Sequence, residues 1–232
     1  MGIECLERTG IDDYRKSYAV LRRYADRAIV LKSYQDLCRV APSRAGFPSW
    51  LIDRAVTAGF PRYAQLIVET NDPRNQAKTK RVMAKFEEPV DAEFRQSISE
   101  VQTSVFPKRL RLWKKEPGLS AEQLQFAHRM AVGITVSQYR QFFPGRPEPE
   151  RSDALLWLPY LHAVALHALT LKWLKARGQV TAGSDTLRND SVDIFYVTYE
   201  SLFDGVVSGD IKLQEIYAMT KAILAYGEAQ TR

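Results

Sequence analysis

Cysteine and histidine are scarce in this chain, with two of the first and three of the second in 232 residues. Cys5 and Cys38 alone cannot build a disulfide framework or a thiolate zinc site. A reducing, cytoplasmic setting is therefore expected. His128, His162 and His167 supply no Ser-His-Asp or Cys-His order for nucleophilic catalysis. His162 and His167 are five positions apart and leave a helix in different directions, so a shared metal is not expected. All three read as structural or surface histidines. There is no glycine-rich phosphate loop, no internal repeat and no low-complexity tract. The first residues carry Glu4, Glu7 and Arg8 among few apolar ones, which is not a secretory signal. The longest apolar stretch, 154–174, is interrupted by Pro159, His162, His167, Thr170 and Lys172. Those interruptions argue against a lipid-facing span, so no membrane is expected, and they favour a helix buried against a sheet.

What is present is a globular composition, 45% hydrophobic, with a net charge of +6 and a pI near 9.3. That balance is compatible with a polyanionic partner. Residues 1–26 read as helical, with a packing stripe of Tyr14, Tyr18, Leu21 and Tyr24. Arg27 to Leu31 reads as a first strand and residues 63–69 as a second, rich in Leu66, Ile67 and Val68. Trp50 to Ala58 reads as a short helix ended by Gly59 and Pro61. Residues 74–150 form an enlarged, helix-rich central region, in which Ser120-Ala121-Glu122-Gln123 has the form of a capping box. Strands alternating with helices imply an α/β fold: one domain over residues 1–232 with a small, mostly parallel sheet covered by helices.

The chemistry-bearing stretch is residues 189–210. Val192, Phe195, Tyr196, Tyr199, Leu202 and Phe203 recur at the spacing of one buried helix face. Asp190 and Asp193 open this pattern, three apart and away from that stripe, with Asn189 as a plausible N-cap. Acids belong at helix N-termini whatever the function. Capping, however, does not require Asp210, which follows the apolar run Gly205 to Val207. Three carboxylates gathered at a sheet edge repel one another unless a cation sits among them. A hard divalent cation and phosphodiester hydrolysis are the usual answer.

These residues resemble the C-terminal part of PIN-like nuclease domains. There an acidic residue opens a helix, a short strand follows, and a Thr/Ser-x-Asp/Asn unit ends it. Asn189-Asp190 with Asp193 is similar to the first unit and Ser208-Gly209-Asp210 to the last. The resemblance extends over roughly residues 155–225, through Leu158 to Ala163, Leu171 to Leu174 and Ile216 to Leu224. It implies that Asp190, Asp193 and Asp210 are catalytic and hold Mg²⁺ or Mn²⁺. The family's first-strand acid is missing: Lys32 or Ser33 stands there, with Asp36 one turn on. Glu69 and Glu100 lie near the place of a second family acid, without a motif around either.

Two basic clusters fit an RNA or other single-stranded nucleic-acid partner: Arg74, Lys78, Lys80, Arg81 and Lys85, then Lys108, Arg109, Arg111, Lys114 and Lys115 around Trp113. The leading expectation is a metal-dependent ribonuclease in which the ion activates water. A second is a catalytically degenerate PIN-like scaffold or regulatory subunit that binds nucleic acid, a protein partner or a second copy of itself. A third is a mainly helical nucleic-acid-binding module without the sheet.

Overall fold

The computed structural model describes residues 18–42, 49–69, 112–113, 115–116, 118–177, 184–203 and 208–230. Their helices are α1 (Tyr34–Cys38), α2 (Arg54–Glu69), α3 (Ala121–Phe142), α4 (Arg151–Ala154), α5 (Leu158–Arg177), α6 (Ser184–Glu200) and α7 (Ile211–Ala229), with 3-10 turns at Ala25–Arg27 and Ser49–Leu51. The chain divides into two compact units. The first holds the described residues 18–33 and 49–69, and the second holds 34–42 and those from 112 onward.

The expected parallel sheet is overturned. The described residues are 74% helix and 1% strand, with no sheet. Of the first expected strand, only Leu31 pairs, in an isolated antiparallel bridge with Ile52. The neighbouring hydrogen bonds run from Lys32 N to Leu51 O and from Asp53 N to Val30 O, both 2.9 Å. The second expected strand is the last half of α2. Gly59 and Pro61, read as terminators, are both inside that helix. The Asp53 carboxylate accepts from Val56 N at 2.9 Å and starts the helix. An apolar period of three and four from Val56 onward carries it past the proline, so the β-branched pair Ile67-Val68 is helical by tertiary context, not extended by propensity. The run Gly205–Val207, Glu100, the first basic cluster and all of the second except Lys115 lie outside the described residues.

In the second unit α5 is the hub. It packs against α3, α6 and α7, and α1 lies against it as well; α7 also packs on α3 and α6. From Leu158 to Leu171 nearly every side chain of α5 is buried, with no solvent face. A helix apolar all round must be buried on all sides. Here helices provide the surroundings, not the expected sheet. Pro159 sits in the first turn, where its missing N–H costs no hydrogen bond. Each fully buried Leu or Val contributes about 1.5–3 kcal/mol. No helix among the described residues is long and apolar enough to cross a membrane.

The flanking helices start and stop as their sequences direct. Ser120 Oγ accepts from Gln123 N at 3.4 Å and Gln123 Oε1 from Ser120 N at 3.2 Å, the expected capping box of α3. Past the other end of α3, Trp157 is enclosed by Tyr139 and Phe143, its ring centroid 5.5 Å from Tyr139. Helix α6 begins at Ser184, so Asn189 is interior and Asp190 and Asp193 lie beyond the first turn. Its buried face is Asp190, Ser191, Ile194, Val197 and Thr198, while Val192, Phe195, Tyr196 and Tyr199 are half-buried. The period is as expected, but the phase is displaced by about one residue.

Candidate functional site

The displaced phase decides the environment of the acids. Asp190 falls on the buried face of α6 and is 1% exposed. A carboxylate there is tolerated only with a counter-charge at hydrogen-bond distance. Lys212, in the first turn of α7, supplies it. Its Nζ donates to Asp190 Oδ1 and also to Asp193 Oδ2, the latter at 2.5 Å. Asp210 does something else. It is the N-cap of α7, and its Oδ1 accepts from Lys212 N at 2.8 Å and Leu213 N at 3.2 Å. Ser208 Oγ accepts from Asp210 N at 3.0 Å and so holds the cap in place.

All three sequence-expected acids therefore meet one residue. Asp190 and Asp193 hold the ammonium of Lys212, and Asp210 holds its backbone amide. The sequence reading missed this lysine because it sought acids and a metal, not an internal cation. The signal was available: Lys212 follows Asp210 by two positions, on the helix facing the acids. Lys172 was noted only as a polar break in an apolar stretch. It ion-pairs with Glu215 of α7.

The charges act on one another. Burial disfavours the Lys212 ammonium, but hydrogen bonds and charges from Asp190 and Asp193 outweigh it and raise its pKa above the usual lysine value. Lys172 moves the other way. Burial lowers its pKa, the Lys212 charge lowers it further, and Asp210 and Asp190 oppose both. Lys172, Lys212 and the acids form one coupled cluster across α5, α6 and α7. No group of three or more His, Cys, Asp or Glu among the described residues is arranged to hold a metal ion. The donor set implied for Mg²⁺ or Mn²⁺ does not fit, because an ammonium bonds the two carboxylates that would have to bind the ion.

The three histidines are each held by neighbouring groups of the fold. His167 is buried and donates from Nδ1 to Ala163 O at 2.6 Å. His162 lies between Tyr34 and Phe195, with ring centroids at 5.0 and 4.9 Å, and Thr198 Oγ1 is 3.3 Å from its Nδ1. Burial pushes its pKa down to about 4. His128 is less isolated than its sequence position implied. Arg151, which can only donate, lies 3.2 Å from its Nε2, so Nδ1 carries the proton and donates to Tyr160 Oη at 2.9 Å. Burial and the Arg151 charge both hold this imidazole neutral. Gly227 of α7 closes on the pair. A Cβ there would stand 2.8 Å from both His128 Nδ1 and Tyr160 Oη, so the position admits no side chain without displacing them.

Comparison with known proteins finds no family model, no curated protein and no solved structure that matches this chain.

Proposed function

We propose that the chain is a non-catalytic helical binding protein and that its acid cluster serves the fold. The observation that carries this is the Lys212 ammonium hydrogen-bonded to both Asp190 and Asp193. A metal-activated water needs a divalent ion fixed by those carboxylates. A unit charge held about 4 Å from another costs roughly 4 kcal/mol at an effective dielectric of 20, and twice that for a divalent ion. Lys212 cannot diffuse away, so an incoming ion must displace a tethered competitor and then sit beside it. The free thiol of Cys38, pushed up to about 11 by burial, fits a reducing, cytoplasmic setting.

The test is a cleavage assay on labelled single-stranded RNA with Mn²⁺, Mg²⁺ and an EDTA control, beside a thermal melt in the same metals. The expected outcome is no metal-dependent cleavage and no metal-dependent rise in melting temperature. Cleavage that requires Mn²⁺, disappears in Asp190→Asn and Asp210→Asn and survives in Glu200→Gln would restore the ribonuclease reading.

A further inference from the structure

Residues 144–154 join α3 to α5 as a strap that adds nothing to the core. Phe143 and Leu155 at its two ends are buried, and no residue between them is. Pro144, Pro147 and Pro149 remove backbone donors from it. Helix α4, inside the strap, is four residues long and has no side-chain cap at its N-terminus. Glu148 pairs with Arg140 at 2.7 Å, but on the surface, where such a pair is weak. Arg151 reaches inward, and its Nη2 lies 3.2 Å from His128 Nε2 on α3.

That contact holds in one protonation state of the ring. Arginine only donates, so it needs the lone pair of Nε2. Nδ1 is committed to Tyr160 Oη at 2.9 Å. A second proton on the imidazole must therefore go to Nε2, and two cationic donors then face each other. The ring is confined to this orientation by α7, because a Cβ at Gly227 would already stand 2.8 Å from both Nδ1 and Tyr160 Oη. The other groups around it are Tyr226 of α7, with ring centroids 6.0 Å apart, and Glu228 of α7, whose charge acts on Tyr160. Asp153 belongs to the strap itself.

We propose that the Arg151–His128 contact is a proton-operated latch: neutral His128 holds the strap closed, and protonation at Nε2 releases it. Burial and the Arg151 charge both oppose that proton, so opening comes below the ordinary histidine range. The sign follows from linkage. A depressed folded pKa gives the closed strap a stabilisation that is present above the ordinary value and is lost as pH falls through the folded one.

The test is hydrogen exchange on the full chain, read as protection factors so that the intrinsic pH dependence of exchange cancels. The amides of Asp153 to Trp157 report on the strap, since all of them are hydrogen-bonded in its closed form. Between about pH 7.5 and about pH 5 their protection should fall. The fall should be about tenfold or more, the scale of a hydrogen bond to a charged group. His128→Gln puts a carbonyl that accepts from Arg151 at any pH in place of the titrating nitrogen, and should flatten the response. Arg151→Ala should show the low, acid-like protection already at neutral pH. Arg151 is exposed, so this variant decides the matter even if His128→Gln does not fold. A pH response in His128→Gln equal to that of wild type overturns the proposal, as does full protection of the strap in Arg151→Ala at neutral pH. So does an NMR titration in which His128 takes up its proton while the strap stays protected. None of these readouts involves the acid cluster, so a failure here is distinct from the appearance of metal-dependent cleavage.

Discussion

Lys212 has two acids and one role at the residue scale. Its ammonium neutralises a carboxylate that would otherwise be buried and uncompensated in α6. Removing one member of such a pair costs more than removing both, because the survivor keeps its desolvation penalty. Lys212→Met should therefore destabilise the protein by about 3–5 kcal/mol. Asp190→Leu combined with Lys212→Met should recover most of that loss. Urea denaturation of the two variants and of wild type decides it. Additive losses in the double variant would show that the pair is not the unit of stabilisation. Sequence pattern gives residue types but not which side of a helix is enclosed. The phase of α6 was misjudged because its aromatic residues were taken as the core. Phe195 and Tyr199 are half-buried, while the smaller Ser191, Val197 and Thr198 are buried. That displacement turned Asp190 from an exposed acid into a buried one, and only a buried one requires Lys212.

At the scale of the element, helix boundaries carry the site. Asp210 is a cap whose oxygen serves two amides of α7. Asp210→Ala should cost about 1 kcal/mol and Asp210→Asn a few tenths at most, because asparagine caps nearly as well. Chemical denaturation of both variants gives the comparison. A loss in Asp210→Asn equal to that in Asp210→Ala would mean that the negative charge, not the cap geometry, is what α7 uses. The capping box at Ser120 was legible because it is a local pattern with fixed spacing. The course of α2 was not. Gly59 and Pro61 are stop signals in isolation, and the helix runs through them because Thr57 and Phe60 are held by Val30 and Tyr18, contacts a local reading cannot see. The parallel sheet was inferred from short β-branched runs, and such runs cannot be told from buried helix by periodicity alone. The acids themselves were legible as a group that needs a positive partner. Where the sequence reading expected a metal ion, the structure has the ammonium of Lys212 between Asp190 and Asp193.

Protons report on the molecule as a whole. His128, His162 and His167 are all held neutral by burial, and each pKa lies below the ordinary histidine value. A group whose folded pKa is depressed adds stability that is present above its unfolded pKa and is lost as pH falls through the folded one. For His162 the window runs from 6.5 down to about 4. The loss across it is on the order of 3 kcal/mol. Stability should therefore fall from neutral pH toward pH 4, more steeply than in His162→Phe, whose ring keeps the contacts with Tyr34 and Phe195 without the proton site. Melting temperature against pH for the two proteins is the measurement. Parallel curves would place the acid sensitivity elsewhere.

The enclosure of α5 also orders events on the ribosome. Helix α3 is made before α5, but the helices that close its other sides, α6 and α7, are made after it. From Arg177 to Ala229 the ribosome must still add 52 residues. At roughly 5–20 residues per second this takes about 3–10 seconds. During that interval a helix that ends up buried on nearly all sides has been synthesised without two of the helices that cover it. Codon usage in this last stretch therefore sets how long each new molecule is open to association with its neighbours on the same polysome.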